Sequence, residues 1–354
     1  MTQNGINIVV MNGDLIGNEV VPAMRKVVDA AVEACGYWPI NWIKAFIGES
    51  AIKEGFNSNL PRCTLNLIKE HKVAIKGPTH VTDDMKNHGL ASANVRLRKE
   101  LDLFANIRPV RSFLGVPSRY ENIDIVMIRE NTEGLYGGTE FYIVNKKGKR
   151  VGGALRIISD EACERICRAA FQYAVINKRH KVTAFHKENI LSLTDGIFLE
   201  NFRAVAKEFP SMEATDLIVD NASMQLVVNP HQFDVIVTTN MFGDIKSDHC
   251  AGLVGGLGVA PGANIGEKLA VFEAVHGTAP DIAGKGIANP SAMILSAVMM
   301  LKHLGMPVVA KTIEGALARV LEEGIHVTGD INKVKPVNTK QMTHAIIEEI
   351  RKSS

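Results

Sequence analysis

Short β-branched runs alternate with helical patterns along this chain, and that alternation restricts it to an α/β architecture with a largely parallel sheet. Ile6–Met11 reads as a strand, and Val20 to Ala34 then keeps helical periodicity. Val73-Ala74-Ile75-Lys76, Ile123–Glu130 and Val235-Ile236-Val237-Thr238-Thr239 are further strand runs, each ending in a loop. In such folds, ligands bind in the loops that leave a strand for a helix N-terminus. The first of these loops reads Asn12-Gly13-Asp14-Leu15-Ile16-Gly17-Asn18-Glu19, which is not Gly-x-Gly-x-x-Gly. Gly256-Leu257-Gly258 lacks the strand before and the helix after, so no Rossmann dinucleotide fingerprint is expected.

With 354 residues, 46% hydrophobic and 22% charged, the chain has mass for two domains or one large one. A net charge of +2 gives no sign of a nucleic-acid partner. The one basic run, Lys146-Lys147-Gly148-Lys149-Arg150, carries a Gly between strand-like segments and reads as a solvated hairpin turn. Five cysteines, an odd number with no Cys-x-x-Cys, suit a reducing compartment. Cys163 and Cys167, at helical i,i+4 spacing, are expected to pack rather than bind metal. The chain enters its first strand at Ile6, leaving no room for a signal peptide, and the stretch Ala292 to Leu301 is too short for a bilayer and reads as a buried helix. The expectation is a protein working in solution without a membrane partner, in the cytoplasm, or in the mitochondrial matrix where a transit peptide has been removed.

The strand run Val235–Thr239 passes through Asn240-Met241-Phe242-Gly243 to Asp244 and Asp248. If a helix starts at Gly243 or Asp244, both carboxylates lie on one face near its first turn, where like charges repel unless a divalent cation joins them. The other reading is a helix N-cap followed by a surface Asp. Ala251–Gly258, small and apolar, suits a buried helix end, and a charged pair beside such packing needs a reason. Three arginines stand at or near element ends: Arg98 on a helical pattern, Arg108 and Arg129 on strands. Each guanidinium can hold an oxyanion bidentately, so they read either as a carboxylate clamp or as separate surface ion pairs. Several Arg with clustered Asp describe a site for a metal-chelated polycarboxylate.

Six linked motifs carry a resemblance: Ser92-x-Asn94-x-x-Leu97-Arg98, Arg129-Glu130-Asn131-Thr132-Glu133-Gly134-Leu135-Tyr136, His186-Lys187-x-Asn189-Ile190, Asp220-Asn221, Gly243-Asp244-Ile245-x-Ser247-Asp248, and His276–Gly284. In this order they resemble the isocitrate and isopropylmalate dehydrogenases, metal-dependent β-decarboxylating enzymes, and the matches cover some four-fifths of the chain. Ser92, Asn94 and the Asn-Thr-Glu-Gly-Leu-Tyr run are similar to the isocitrate branch. The resemblance implies a two-domain fold of that family: a large domain from 1–99 plus 253–354, a small domain from 100–252, and a β clasp between subunits at about 138–158. It also implies a homodimer or higher oligomer with shared active sites, to which the neighbouring subunit contributes Lys187, Asn189 and Asp220.

The implied activity is NAD-dependent oxidative decarboxylation of isocitrate to 2-oxoglutarate and CO2, with Mg²⁺ or Mn²⁺ held by Asp220, Asp244 and Asp248. Arg98, Arg108, Arg129 and Asn189 would bind the substrate, with Ser92 and Asn94 marking it as isocitrate. Lys187 and Asp220 would relay the hydroxyl proton and Tyr136 would reprotonate the enol. Isocitrate brings about three negative charges, and with Arg98, Arg108, Arg129, Lys187 and the metal set against the three Asp, the site sums to neutrality. For the cofactor, Thr82, Glu273, His276, Gly277, Thr278, Ala279, Asp281, Ile282 and Asn289 are implied. Asp281 would accept from a free ribose 2′-hydroxyl and repel a 2′-phosphate, which points to NAD, and Asn289 would reach the adenine.

Taken singly, these residues read otherwise: Tyr136 as a boundary tyrosine, Lys187 as a solvated charge, Asp220-Asn221 as a turn, His276 as a loop residue, Asp281 as a helix cap. Two departures stand out. Leu15 and Asn18 replace the family's Gly and Pro in the first loop, and Thr79-His80-Val81-Thr82 replaces a Thr-Pro, with Thr82 the available substitute. They keep open a regulatory, non-catalytic subunit of a hetero-oligomeric isocitrate dehydrogenase. Also open are a dehydrogenase for isopropylmalate, homoisocitrate, tartrate or malate, and a non-enzymatic binding protein.

Overall fold

Strand runs without polar alternation are buried on both faces of a parallel sheet, and Val73–Lys76 and Val235–Thr238 follow that rule here. The computed structural model describes residues 5–83, 85 and 92–352. In chain order the strands are β1 (Asn7–Met11), β2 (Asn41–Lys44), β3 (Val73–Lys76), β4 (Ala105–Arg111), β5 (Asp124–Glu130) and β6 (Glu140–Val144). They continue with β7 (Arg150–Ala154), β8 (Lys181–His186), β9 (Glu213–Ile218), β10 (Val235–Thr238), β11 (Pro261–Ile265) and β12 (Ala270–Ala274). All four residues of β3 and all four of β10 are buried. The chain divides into two units, one made of the chain to Leu103, Arg108–Ile123 and Ala251 onward, the other of Phe104–Ile107 and Asp124–Cys250.

In the first unit β2, β1, β3 and β12 pair in parallel in that order, and β11 pairs antiparallel with β12. The helix Gly17–Ala34 turns Val20, Met24, Val27, Val28 and Ala31 inward, at the spacing of one helix face. It packs against helices Ser291–His303 and Thr339–Lys352. Ser291–His303 is the buried helix expected from its apolar run, seated on β11 and β12. Leu15 takes φ 51 in the first loop, where a side chain costs about 1 kcal/mol that glycine avoids. Asp14 is 3% exposed and accepts from the backbone N–H of Glu49, Ser50 and His80 at 3.0, 2.7 and 2.7 Å, tying the start of helix Glu49–Lys53 and the loop at His80 to one carboxylate. Residues 108–123, placed by the sequence reading in the small domain, group with this unit instead. The reason is packing: Gly115, at φ +82, lies so close to the Leu321 carbonyl that a Cβ would meet it at 1.8 Å, and Arg111 pairs with Glu314 at 3.1 Å.

In the second unit the parallel order is β5, β10, β8, β9. Helix Asp160–Ile176 is capped by Ser159, whose Oγ accepts from the Ala162 N–H at 3.2 Å, and Phe171 stacks on Phe202 and Phe209. Cys163 and Cys167 are buried in this packing, and burial pushes the Cys163 thiol up to about 12. β6 and β7 form an antiparallel hairpin whose turn holds the basic run, with Asn145 Oδ1 accepting from Lys147 and Lys149 N–H groups. Its Phe141, Tyr142, Ile143 and Val144 are exposed within one chain, at the position of the expected clasp. Among the described residues, no helix is long and apolar enough to cross a membrane.

Candidate active site

β10 leads into helix Asn240–Leu253. The sequence reading starts this helix at Gly243 or Asp244, and the structure starts it at Asn240. The reason is the Asn240 side chain, which is held on both ends: Nδ2 donates to the Glu133 carbonyl at 2.9 Å, and Oδ1 accepts from Arg129 Nε and Nη2 at 3.0 and 2.7 Å. Asp244 is therefore a residue of the helix body rather than its N-cap, with Asp248 one turn on along the same face.

Arg129, next to last in β5, is fully buried. Its Nη1 donates to Asp244 Oδ1, and the Tyr136 hydroxyl donates to Asp244 Oδ2. The guanidinium also lies 5.1 Å from the centre of the Tyr136 ring. Gly243 makes room for this arrangement, since a Cβ there would meet Arg129 Cγ at 2.5 Å and Cβ at 2.7 Å. Arg129, Tyr136 and Asp244 thus come together as one cluster, and Asp248 is exposed on the same helix.

A second cluster in this unit joins Lys187 and Asp220. Lys187 follows β8, Asp220 lies in the first turn of helix Val219–Val228, and Lys187 Nζ donates to Asp220 Oδ1 at 2.8 Å. That hydrogen bond is the main cause holding the Asp220 carboxyl below its ordinary range. The Lys187 backbone is pinned by Asp195, fully buried, whose Oδ2 accepts the Lys187 N–H at 2.6 Å and whose Oδ1 accepts from Arg156. Asn189 is exposed two residues further. Among the described residues, no three His, Cys, Asp or Glu side chains gather as a metal site, so Asp220 is not brought to Asp244 and Asp248 within one chain.

In the first unit, Ser92 stands at the N-cap of helix Ala93–Glu100 without a capping bond from its side chain. Asn94 Oδ1 and Arg98 Nε are buried with no partner among the described residues. Arg98 Nη2 donates to Glu273 Oε1 at 3.1 Å. Glu273, in β12, also receives Lys76 on Oε2 and Asn264 Nδ2 on Oε1 at 2.7 Å. Burial raises the Glu273 pKa, but the charges of Lys76 and Arg98 and the donated hydrogen bonds outweigh it and hold the carboxyl far below its usual range. Lys76, 1% exposed, ends β3 and was not singled out from sequence; its only signal is a lysine closing a wholly apolar strand. Arg108 is buried inside β4, which runs on through Pro109 to Arg111.

The residues read as cofactor contacts lie along this unit's loops. Thr82 Oγ1 accepts from the Met85 N–H at 3.2 Å. His276 Nδ1 lies 2.9 Å from the Gly277 carbonyl, which assigns the ring proton to Nδ1 and leaves Nε2 buried without a partner. Burial first, with the Lys76 charge, lowers the His276 pKa and so favours the neutral ring. Thr278 is buried, Ala279 adopts φ 40, and Asp281 and Ile282 sit in the turn closed by the Ile282 N–H to the Ala279 carbonyl at 3.2 Å. Asp281 is exposed and caps no helix. Glu273 faces Lys76 and Arg98 from inside β12 rather than from the loop. Asn289 uses both ends of its carboxamide, donating to Asp330 Oδ2 at 2.8 Å and accepting from the Ser291 N–H at 2.9 Å.

These side chains suit the groups implied. Carboxylates one turn apart on a helix offer the oxygen donors that Mg²⁺ or Mn²⁺ takes. The unpartnered Asn94 Oδ1, Arg98 Nε and His276 Nε2 are polar atoms that a polar ligand satisfies.

Comparison with known proteins agrees with this chemistry. Isocitrate dehydrogenase [NADP] of Thermus thermophilus is 44% identical over 98% of this chain and 68% of its own length. A mitochondrial protein of Dictyostelium discoideum, described as a regulatory subunit of isocitrate dehydrogenase [NAD], is 44% identical over 96% of this chain and 92% of its own. The crystal structure of isocitrate dehydrogenase from Methylococcus capsulatus superposes with a TM-score of 0.92 at 46% identity, covering 98% of this chain and 99% of that one. The sequence model of isocitrate and isopropylmalate dehydrogenases matches residues 7–346. The chain therefore belongs to the isocitrate/isopropylmalate dehydrogenase family.

Proposed function

We propose that this protein oxidises and decarboxylates isocitrate to 2-oxoglutarate and CO2, with NAD as hydride acceptor and Mg²⁺ or Mn²⁺ as metal. The observation that carries the reading is the cluster Arg129–Tyr136–Asp244, which joins an oxyanion-binding cation, a proton donor and a metal-type carboxylate. Arg98, Arg108 and Arg129 orient the substrate carboxylates, and Ser92 with Asn94 selects the isocitrate side chain. Asp244 and Asp248, with Asp220 of a second copy of this chain, would hold the divalent cation. Bound metal supplies Lewis acidity and NAD accepts the hydride. Lys187 gives a proton to Asp220 along their 2.8 Å hydrogen bond and takes the substrate hydroxyl proton in its place. Tyr136 gives its hydroxyl proton to the carbon that loses CO2, and Asp244 orients that hydroxyl.

Relatives of this chain include both NADP enzymes and regulatory subunits by name, so cofactor and turnover are the points to test. The NAD reading rests on Asp281, and the catalytic reading rests on Tyr136, Lys187, Asp244 and Asp248 all being retained. The experiment is absorbance of reduced nicotinamide with DL-isocitrate and Mn²⁺, with parallel reactions containing NADP, isopropylmalate, tartrate or a chelator. Turnover with isocitrate and NAD that the chelator abolishes is the expected result. Faster turnover with NADP or isopropylmalate would overturn the cofactor or substrate assignment. Metal-dependent isocitrate binding without turnover in any reaction would instead make this a regulatory subunit.

A further inference from the structure

Lys187 follows the last residue of β8, so its N–H lies beyond the strand ladder and must find another acceptor. That acceptor is the Asp195 carboxylate, 2.6 Å away in the first turn of helix Thr194–Ala206. The Lys187 carbonyl is engaged as well, by the N–H groups of Ile190 and Leu191 at 3.0 and 2.8 Å, and the Leu191 carbonyl accepts the Asp195 N–H at 2.8 Å. Both backbone groups of Lys187 are thus closed into one turn fixed by the Asp195 side chain. Asp195 is fully buried, and Arg156 balances it: Nη2 donates to Asp195 Oδ1, while Nη1 donates to Thr194 Oγ1 at 2.5 Å. Nη2 also donates to Thr239 Oγ1 at 3.2 Å, just past β10, so the guanidinium fork holds the carboxylate against a second element. Closing a turn needs no buried charge, since a neutral side chain or a water accepts the same N–H. A charged, doubly anchored acceptor at this position calls for a reason beyond the turn.

Lysine carries its ammonium on a flexible four-carbon stem, so Nζ is placed only as well as its Cα is fixed. Here Nζ must stay in reach of Asp220, at 2.8 Å, and of the substrate hydroxyl. We infer that Asp195, held by Arg156, is a positioning residue for the proton relay at Lys187; the inference rests on the isocitrate reaction proposed above. Oxidation sends a hydride to the nicotinamide and the hydroxyl proton to Lys187, leaving the ketone oxalosuccinate. Loss of CO2 from that ketone then takes its proton from Tyr136. Asp195 serves the first step and not the second, because Tyr136 is held by Asp244, and Asp244 by Arg129.

The test compares the full-length wild type with Asp195→Asn and with Arg156→Gln/Asp195→Asn. The single variant leaves Arg156 without its counter-charge, which endangers folding; the double variant removes both charges and keeps the experiment readable. Amide hydrogen exchange followed by mass spectrometry should show the Lys187 N–H exchanging about tenfold faster, since a neutral acceptor is weaker than a carboxylate. The kcat for isocitrate should fall about tenfold or more, whereas the cofactor KM and the decarboxylation of added oxalosuccinate should stay within about twofold. Arg156→Lys keeps the charge and loses the fork, so its kcat should lie between wild type and the double variant. Unchanged Lys187 exchange would overturn the inference, as would wild-type kcat despite faster exchange. Equal losses in both reactions, tracking the melting temperature, would also overturn it, leaving the pair a fold element only. Absence of isocitrate turnover in the wild type would instead mark failure of the proposed reaction, and the exchange rate would still decide whether Asp195 holds Lys187.

Discussion

Single residues differ here in how far their neighbours commit them. Asp244 is shared between Arg129 and Tyr136, so Asp244→Asn keeps one oxygen acceptor but loses the charge. Metal affinity is expected to fall on the order of 100-fold or more, with a smaller change in melting temperature; calorimetric titration of Mn²⁺ binding checks it, and an unshifted Mn²⁺ affinity would remove Asp244 from the metal site. Glu273 is committed more deeply. Glu273→Gln leaves Lys76 and Arg98 buried without their counter-charge and is expected to cost about 3–5 kcal/mol near neutral pH. Because the folded pKa of Glu273 is depressed, its contribution is fully present above the unfolded carboxylate value and is lost as pH falls toward the folded one. The gap between wild type and variant should therefore narrow below about pH 4.3, as read by denaturant unfolding across pH; a constant gap would mean the carboxylate is not the stabilising form. This pairing was hidden in the sequence, which shows Lys76 closing an apolar strand but not the distant Glu273 that receives it.

At the scale of elements, strand identity was legible because β1, β3, β5 and β10 are continuous apolar runs, and a run without alternation admits little else. The helix bearing Asp244 and Asp248 was legible in its face but not in its start, because Asn240-Met241-Phe242 looks like a connection until Arg129 and Glu133 are seen to bind the Asn240 side chain. The grouping of 108–123 was equally out of reach, since it depends on Gly115 meeting the Leu321 carbonyl. Gly243 belongs to this scale too. Alanine gains about 1 kcal/mol in helix propensity over glycine, but its Cβ would stand 2.5 Å from Arg129 Cγ, and overpacking costs about 1–3 kcal/mol. Gly243→Ala is thus expected to change stability by no more than about 2 kcal/mol while moving the Arg129 guanidinium off Asp244 and lowering kcat by about tenfold or more. Measuring melting temperature beside kcat and KM separates the two; a variant with wild-type kcat would mean that the Arg129 geometry does not govern turnover.

For the whole molecule, the decisive feature is that one chain holds two incomplete sets. Arg129, Tyr136 and Asp244 form one, Lys187 and Asp220 the other, and Asp220 joins no three-residue metal group with Asp244 and Asp248 among the described residues. Sequence spacing alone could not reveal this separation, because Asp220 and Asp244 are as compatible with one cluster as with two. If the sets meet across subunits, as the family resemblance implies, then a site is completed by Lys187 of one copy and Asp244 of another. Lys187→Ala and Asp244→Asn should each abolish turnover as pure oligomers, since every site then carries one defect. In a mixed dimer one site collects both defects and the other none. Random pairing of equal amounts makes about half of the dimers mixed, so co-expression of the two inactive variants should restore about a quarter of wild-type activity. Isolating the mixed species through two different affinity tags should raise that to about half. If instead each site is built within one chain, the mixed dimer contains no intact site and stays inactive. Recovery of turnover therefore requires that Lys187 and Asp244 act from different subunits, and its absence in verified mixed dimers would place them in the same one.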